Sequence, residues 1–253
     1  MEMNESLQGR VILVETAENK WRCEDNPEIK KNIGSVVVYT YDEVKANEAQ
    51  FIGGISNNKL EIRGRTYIYD DGIDKFVLND SNVDINLYKE KINIFVDFLR
   101  LLGAVKFEGE VRISEEDKSK LNNKTKIKAK TVKADVDVCL RSESELKQYL
   151  KLSATMNGRN LTDEEYGAAV DFYNASPMLK NNSDCWIMLR GRNPKENEYK
   201  KYKVSLCLSA KLQSSIDVAS SLSAIKLFSV KNDFTKERIV NKNVSVNFEV
   251  EFK

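Results

Sequence analysis

Four lysines at alternate positions are the first residues of this sequence whose spacing could do chemistry. They are Lys124, Lys126, Lys128 and Lys130, within the stretch KTKIKAKTVKADVDVCL. Alternate residues of a β-strand point to the same face, so these side chains would form one basic strip. Such a strip could lie along the phosphates of a polyanion, and its binding would then weaken steeply with salt.

A second basic cluster contains Arg190 and Arg192, close to Lys200, Lys201 and Lys203. We group the two arginines with the lysine strip as candidate polyanion-binding residues. Arginine that reads base edges and aromatic residues that stack on bases are both missing between the lysines. Lysine on an exposed strand also discourages edge-to-edge association, and this structural interpretation of the strip is the favoured one.

Asp135 and Asp137 place two carboxylates on one strand face, where they could hold Mg²⁺ against a phosphate. A glycine-rich turn to cradle the phosphate is missing upstream, where the chain reads NNKTKIKAKT. The pair is therefore a weak metal candidate, and two solvated carboxylates are the favoured interpretation. We expect neither a metal nor a cofactor.

The chain contains no histidine, which excludes Ser-His-Asp and Cys-His catalysis and the usual zinc hydrolase sites. Its four cysteines, Cys23, Cys139, Cys185 and Cys207, are far apart and form no CxxC pair. This spacing favours reduced thiols over disulfides or zinc ligands. The sequence leans against an enzyme, although catalysis by carboxylates, lysine, tyrosine or cysteine stays open.

The composition indicates a folded protein without a membrane span. Of 253 residues, 41% are hydrophobic and 31% charged, and 40 basic against 39 acidic side chains give a formal charge of +1. This balance argues against a globally basic nucleic-acid-binding protein. We find no apolar run of about 18 residues and no secretory signal, so we expect a cytoplasmic protein.

Period-two alternation in 105–113, 202–212 and 244–252 predicts antiparallel strands with one buried face. Further strands are predicted at RVILVET (10–16), SVVVYTY (35–41), KLEIRGRTYIY (59–69) and KFVL (75–78). The stretches CWIMLRGR and YKKYKVSLCLSA, on either side of Asn193-Pro194, predict another hairpin.

Helices are predicted in three places. Apolar residues recur at threes and fours over 84–102, and Gly103 provides the stop. Ser144 can cap a second helix, ELKQYLKLSATM, which should end at Asn157-Gly158. Thr162 with Glu165 forms the capping box of a third, which should end before the next proline.

The predicted fold class is α+β, with a predominantly antiparallel sheet and three or four helices in two lobes. The N-terminal lobe spans 1–113 and the C-terminal lobe 124–253. The polar stretch 114–123 forms the joint between them or a hairpin tip.

The lysine strip changes parity near Thr131, after which the apolar residues take over its positions. One inserted residue explains such a change, so we predict a β-bulge there. If 105–113 and 124–132 form a hairpin, Glu108 and Glu110 face lysines across it, which is a favourable arrangement.

The Ser- and Ala-rich segment 212–227 has two interpretations. It is either an amphipathic helix that crosses a sheet or a segment that re-forms as membrane-spanning strands, like the segments that pore-forming proteins insert. Contact with a membrane would then occur only after rearrangement.

By elimination, we favour a non-enzymatic intracellular protein that works through binding or self-assembly. Exposed sheet edges would provide its contacts by strand addition, with another protein or a second copy as the partner. The first alternative is a polyanion- or nucleic-acid-binding protein that uses the lysine strip, Arg190 and Arg192. The second is a pore-forming effector that rearranges 212–227, and an enzyme using Asp135 and Asp137 comes last.

Overall fold

The computed structural model describes residues 11–33, 36–53, 55–123, 136–195, 200–209, 212–222, 228 and 237–253. The lysine strip, Asp135 and the bulge predicted at Thr131 lie outside these residues. Those predictions therefore stay predictions.

Strands and helices are interspersed along the described part of the chain. The strands are β1 (Val11–Glu15), β2 (Val36–Thr40), β3 (Phe51–Ile52), β4 (Thr66–Asp70), β5 (Lys75–Leu78), β6 (Ala104–Ile113), β7 (Val136–Val138), β8 (Ser153–Thr155), β9 (Lys201–Cys207), β10 (Glu237–Ile239) and β11 (Val244–Phe252). The helices are α1 (Ala17–Asp25), α2 (Pro27–Ile33), α3 (Tyr41–Ala46), α4 (Lys59–Ile62), α5 (Val83–Leu101), α6 (Glu115–Asn122), α7 (Glu143–Tyr149), α8 (Asp163–Ala175), α9 (Pro177–Lys180), α10 (Ser183–Gly191) and α11 (Leu212–Ser221).

The chain folds into two compact units, each assembled from three separate segments. The first unit contains 1–86, 119–140 and 211–242, and the second contains 87–118, 141–210 and 243–253. These boundaries differ from those of the predicted lobes, and helix α6 occupies the predicted joint.

The first unit contains a mixed five-stranded sheet in the order β2-β1-β4-β5-β3. β1 runs parallel to β2 and antiparallel to β4, and β3 runs parallel to β5. Val11 and Leu13 enter a hydrophobic cluster with residues of α1, α2 and α11, whereas Ile12 and Val14 enter another with residues of α3 and α4. The sheet is therefore covered on both faces, as a continuous apolar run such as VILV requires.

The second unit contains an antiparallel sheet in the order β8-β6-β11-β9. Its inner face packs on α5, where the ring centroids of Phe95 and Phe248 lie 4.8 Å apart. Buried and more exposed residues alternate along β11, and the outer face of the sheet is polar. The period-two predictions for β6 and β11 are thus confirmed. The strand predicted over 202–212 is shorter than expected, since β9 ends at Cys207 and Leu212 begins α11.

The protein is mixed α/β with one mixed and one antiparallel main sheet, and β7 and β10 form a separate parallel pair. The predicted predominance of antiparallel pairing is wrong for the first unit. The structure also has more helices than the three or four predicted. The additional helices are short and mostly polar, so they lack the long apolar stripe that made α5 recognisable.

Two segments predicted as strands are helical in whole or in part. CWIMLRGR lies in α10, so the hairpin predicted around Asn193-Pro194 is wrong. Cys185, Met188 and Leu189 are buried at helical spacing, and the side chain of Asn182 caps the helix. In the segment 59–69, α4 precedes the strand, and β4 begins only at Thr66.

The hairpin predicted after β6 is contradicted at Glu108, while its second arm, 124–132, lies outside the described part of the chain. Helix α6 follows β6, and Glu108 lies between Ser153 of β8 and Glu249 of β11. Both edges of β6 are occupied at Glu108, so a lysine of a following hairpin strand cannot lie opposite it. Its carboxylate instead forms an ion pair with Lys106 of the same strand, at 2.6 Å. Glu110 lies opposite Asn247.

The three predicted helices are present, but the second ends at Tyr149, well before Asn157-Gly158, and β8 occupies part of its predicted length. The first ends where predicted, with Gly103 at a φ of 71°. The capping box of Thr162 and Glu165 starts α8, which ends ahead of the following proline. The cap of α7 is Ser142 rather than the predicted Ser144, and it forms its own capping box.

Segment 212–227 forms a helix over its described part, as one of its two interpretations predicted. Ala219 and Leu222 are buried in the cluster that also contains Val11 and Leu13 of β1. Residues 223–227 lie outside the described part of the chain. Of the helices within the described ranges, none has the length and apolar character needed to cross a membrane.

Candidate functional site

A cleft of about 390 Å³ opens in the first unit at the carboxyl ends of β1 and β2. Its polar and rim-forming residues are Glu15, Thr16, Thr40, Tyr41, Asp42, Lys59, Leu60 and Arg63. In open α/β sheets, ligands bind outside the carboxyl ends of parallel strands. This cleft therefore lies where a ligand site is expected.

Helix caps at the ends of the two parallel strands bring polar residues to the cleft. β1 ends at Glu15, and the hydroxyl of Thr16 accepts a hydrogen bond from the amide of Asn19 to begin α1. β2 ends at Thr40, which forms a capping box with Glu43 to begin α3. Since the strands are parallel and adjacent, both caps lie at the same end of the sheet.

Glu15 and Arg63 form an ion pair at the cleft. The Oε2 atom of Glu15 accepts hydrogen bonds from Arg63 Nε at 3.0 Å, Asn19 Nδ2 at 3.0 Å and the Thr16 amide at 3.2 Å. The side chain of Glu15 is 0% exposed, whereas that of Arg63 is 38% exposed. The enclosed carboxylate thus fixes a guanidinium that solvent can reach.

Lys59 forms a more exposed ion pair at the rim of the same cleft. Its Nζ lies 2.9 Å from Asp42 Oδ1 and 5.1 Å from the centroid of the Tyr41 ring. Because both charged side chains are largely exposed, this pair contributes little to stability, about 1 kcal/mol or less. Lys59 can therefore change partner at low cost. Its neighbour Leu60 is 77% exposed.

A second cleft, of about 440 Å³, lies on the outer sheet face of the second unit. Its charged residues are Glu108, Glu110, Arg112, Asp184, Lys203 and Glu249. Lys203 pairs with Glu249 and Arg112 with Glu110, both at 3.1 Å, and Asp184 accepts from the Ser205 amide. Because these side chains are paired with one another or with the backbone, the second cleft is best described as a solvated sheet face with paired charges.

The terminal strand of the antiparallel sheet, β9, is protected at its outer edge. The Ser205 amide donates to Asp184 Oδ2 at 3.1 Å, and its carbonyl accepts from Asn182 Nδ2 at 2.7 Å. Lys201 and Lys203 on the same strand are exposed. Side-chain caps and lysines are both means by which proteins prevent strand addition.

At the terminal strand of the mixed sheet, β2, no such side-chain cap is found among the residues that the structure describes. It reads Val-Val-Val-Tyr-Thr from Val36 to Thr40, with no charged residue and no proline. Among the strands that the structure describes, only β1 pairs with it. In the two main sheets, the other terminal strands, β3 and β8, are two and three residues long, which limits any pairing.

The two arginines proposed for polyanion binding have different environments. Arg190 is exposed on α10. Arg192 is only 1% exposed, and its guanidinium donates to the carbonyl oxygens of Leu102 at 3.2 Å and Arg159 at 3.1 Å. It also lies 4.6 Å from the ring of Phe252. A polyanion cannot reach a side chain so enclosed, so Arg192 is removed from the candidate set.

The remaining predicted site residues fall mostly outside the described ranges. Lys124, Lys126, Lys128, Lys130 and Asp135 are among those outside, and Asp137 lies on β7, in register with Arg238 of β10. Within the residues that the structure does describe, no group of three or more cysteines and carboxylates could hold a metal ion.

Sequence reasoning missed the cleft residues Glu15, Lys59 and Arg63. A signal was present in RVILVET and SVVVYTY, whose apolar runs each end in a polar residue. Such continuous runs are typical of parallel strands buried on both faces, and the carboxyl ends of adjacent parallel strands meet at one edge.

No family model, no characterised protein and no solved structure matches this chain. The function is therefore inferred from the geometry of the molecule itself. Two features carry that inference: the edge of β2, which no described strand covers, and the cleft beside Arg63.

Proposed function

We propose that this protein works by binding, and that it self-assembles when a second copy adds its own β2 to the outer edge of β2. The observation that carries this proposal is the contrast between the two longer terminal strands. β9 is guarded by lysines and by the side chains of Asn182 and Asp184, whereas β2 has no guard among the described residues. An unguarded, apolar edge strand is a template for pairing with another chain.

A two-fold axis beside β2 would pair the strand antiparallel with its copy. The five-stranded sheet would then continue across the interface, and each copy would contribute the same surface. Val36 and Val38 are buried on one face of the strand, while Val37 and Tyr39 are half-buried on the other. Antiparallel pairing brings like faces together, so β-branched side chains from both copies would pack side by side.

This proposal involves no catalytic step. The polyanion-binding alternative now depends on the lysine strip and Arg190, and the pore-forming alternative depends on rearrangement of 212–227. No contact within the described ranges favours either alternative, and both stay predictions.

Light scattering coupled to size-exclusion chromatography tests the assembly. The natural chain should have twice the mass of one chain, and Val37→Lys should reduce it to a single chain because a charge would enter the paired edge. Val37→Thr is the matched control, since it retains the branched side chain without a charge, and it should preserve the dimer.

Hydrogen exchange of the unmodified protein gives a second measurement that does not depend on any variant. The outward amides of β2 should be protected at high concentration and should lose that protection on dilution. A single chain at every concentration, with β2 amides that exchange independently of dilution, would show that the proposal is wrong.

A further inference from the structure

We propose that the cleft at the carboxyl ends of β1 and β2 binds a small organic oxyanion, a phosphate monoester or a carboxylate, through Arg63 and Lys59. This site is independent of self-assembly through β2, so either proposal can fail while the other stands. The inference depends on three features: the different solvent exposure of the charged side chains, the fixed position of the Arg63 guanidinium and the apolar rim of the cleft.

Charges of both signs line the cleft, but they differ in exposure. The Glu15 carboxylate is fully enclosed, while the side chains of Arg63 and Lys59 are 38% and 63% exposed. Asp42 is the most exposed of the four, at 76%, and its pair with Lys59 can open at low cost. A ligand that enters the cleft would therefore meet two cations before it meets the buried carboxylate.

Arg63 is oriented before any ligand arrives. Its Nε is held at 3.0 Å by Glu15, which is itself fixed by Asn19 and by the amide of Thr16. A planar guanidinium held in this way matches the two oxygens of a carboxylate or phosphate, and little side-chain entropy is lost on binding.

The beginning of α1 is not required as the anion site. The Thr16 amide already donates to Glu15, and the Asn19 amide donates to the Thr16 hydroxyl. The oxyanion is therefore assigned to the side chains of Arg63 and Lys59 rather than to the helix terminus.

The rest of the cleft fits the organic part of such a ligand. Leu60 is 77% exposed at the rim, the Tyr41 ring lies below the Lys59 ammonium group, and Val14 and Ala17 also line the cleft. A volume of about 390 Å³ is within the range of sites that bind small molecules. A ligand with an apolar ring and one oxyanion would use both parts of the surface.

Titrations followed by ¹H–¹⁵N NMR test the site with four probes: phenyl phosphate, benzoate, inorganic phosphate and benzylamine. Phenyl phosphate, benzoate or both should shift the amides of Thr16, Tyr41 and Arg63 saturably, and the comparison decides between phosphate and carboxylate. Inorganic phosphate, which lacks the ring, should bind more weakly than phenyl phosphate. Benzylamine carries the ring with a positive charge and should produce no such shifts.

Substitutions then identify the residues that hold the anion. Arg63→Gln should lower the affinity for the tighter-binding probe by about tenfold or more, the usual effect of losing a charged hydrogen bond. Lys59→Gln, at an exposed position that folding tolerates, should weaken it by a smaller factor. Arg22→Gln is the matched control, because Arg22 is an exposed arginine of α1 outside the cleft, and it should leave the affinity unchanged.

Two results would overturn the assignment. One is the absence of saturable shifts with both phenyl phosphate and benzoate. The other is an affinity for the probe that is the same in Arg63→Gln and Lys59→Gln as in the control Arg22→Gln. The chemical shifts far from the cleft report whether each variant is folded. If Arg63→Gln misfolds, the affinity of Lys59→Gln for the probe tests the assignment instead.

Discussion

The Nε atom of Arg63 lies 3.0 Å from the buried Oε2 of Glu15, across 48 positions of sequence. This contact joins the end of β1 to the residue that follows α4. It also separates two roles within one cleft, since the carboxylate is enclosed and the guanidinium is accessible. The same pair should therefore matter for stability as well as for ligand binding.

Replacing Arg63 with methionine should reduce the free energy of unfolding by about 1–3 kcal/mol, because Glu15 would lose a charged donor while it stays enclosed. Urea unfolding at pH 7 measures the loss. Arg22→Met is the control, since Arg22 pairs with Glu18 only at the helix surface and should cost about 0.5 kcal/mol or less. Equal losses in the two variants would contradict a structural role for the Glu15–Arg63 pair.

Arg192 and Arg190 provide a second matched comparison. Arg192→Met should lower the free energy of unfolding by about 2–4 kcal/mol, because the carbonyl oxygens of Leu102 and Arg159 would lose their buried donor. Burial also lowers the pKa of the Arg192 guanidinium, although it remains charged at neutral pH. Arg190→Met, at an exposed site, should change stability by about 0.5 kcal/mol at most. Differential scanning calorimetry of both variants checks the contrast, and similar melting temperatures would argue against it.

Three strands of the second unit, β6, β9 and β11, could be predicted because their sheet is exposed on one face. Polar and apolar residues then alternate, as they do along VKFEGEVRI and VSVNFEVEF, and period two identifies the strand and its buried side. The first unit has no such alternation. RVILVE and SVVVYT are apolar on both faces, and this pattern alone cannot distinguish parallel from antiparallel pairing.

The candidate residues show the same limit. Arg190 and Arg192 were grouped as one basic cluster because they are close in sequence, but α10 ends between them and its C-terminal turn directs Arg192 into the interior. In the same way, Glu15 and Arg63 are far apart in sequence and meet only because β1 and α4 end beside each other. A contact made by the register of a sheet leaves no local spacing to detect.

Two glycines should respond in opposite directions to alanine. Gly103 has a φ of 71°, and a Cβ there would overlap the carbonyl oxygen of Arg159, so Gly103→Ala should cost at least about 1–2 kcal/mol. Gly167 lies inside α8 with open space around its Cα, and Gly167→Ala should increase stability by about 0.5–1 kcal/mol. Chemical denaturation measures both changes. A stabilised Gly103→Ala variant would contradict the described close approach.

The capping box at the end of β2 should make stability depend on pH. Burial alone would raise the pKa of Glu43, but hydrogen bonds from Lys20 and Thr40 outweigh it and lower the pKa below its ordinary value. Because the pKa of Glu43 is lower in the folded than in the unfolded state, its ionised form stabilises the fold fully at pH values above the unfolded-state pKa. This stabilisation is lost as the pH falls through the folded-state pKa. Because the Glu43 side chain is 41% exposed and therefore screened by solvent, Glu43→Gln should destabilise the protein by about 0.5 kcal/mol at pH 7 and by much less near about pH 3. Urea midpoints measured across this range, with the exposed substitution Glu18→Gln as control, test the sign, and a Glu43→Gln deficit that grows towards acid would contradict it.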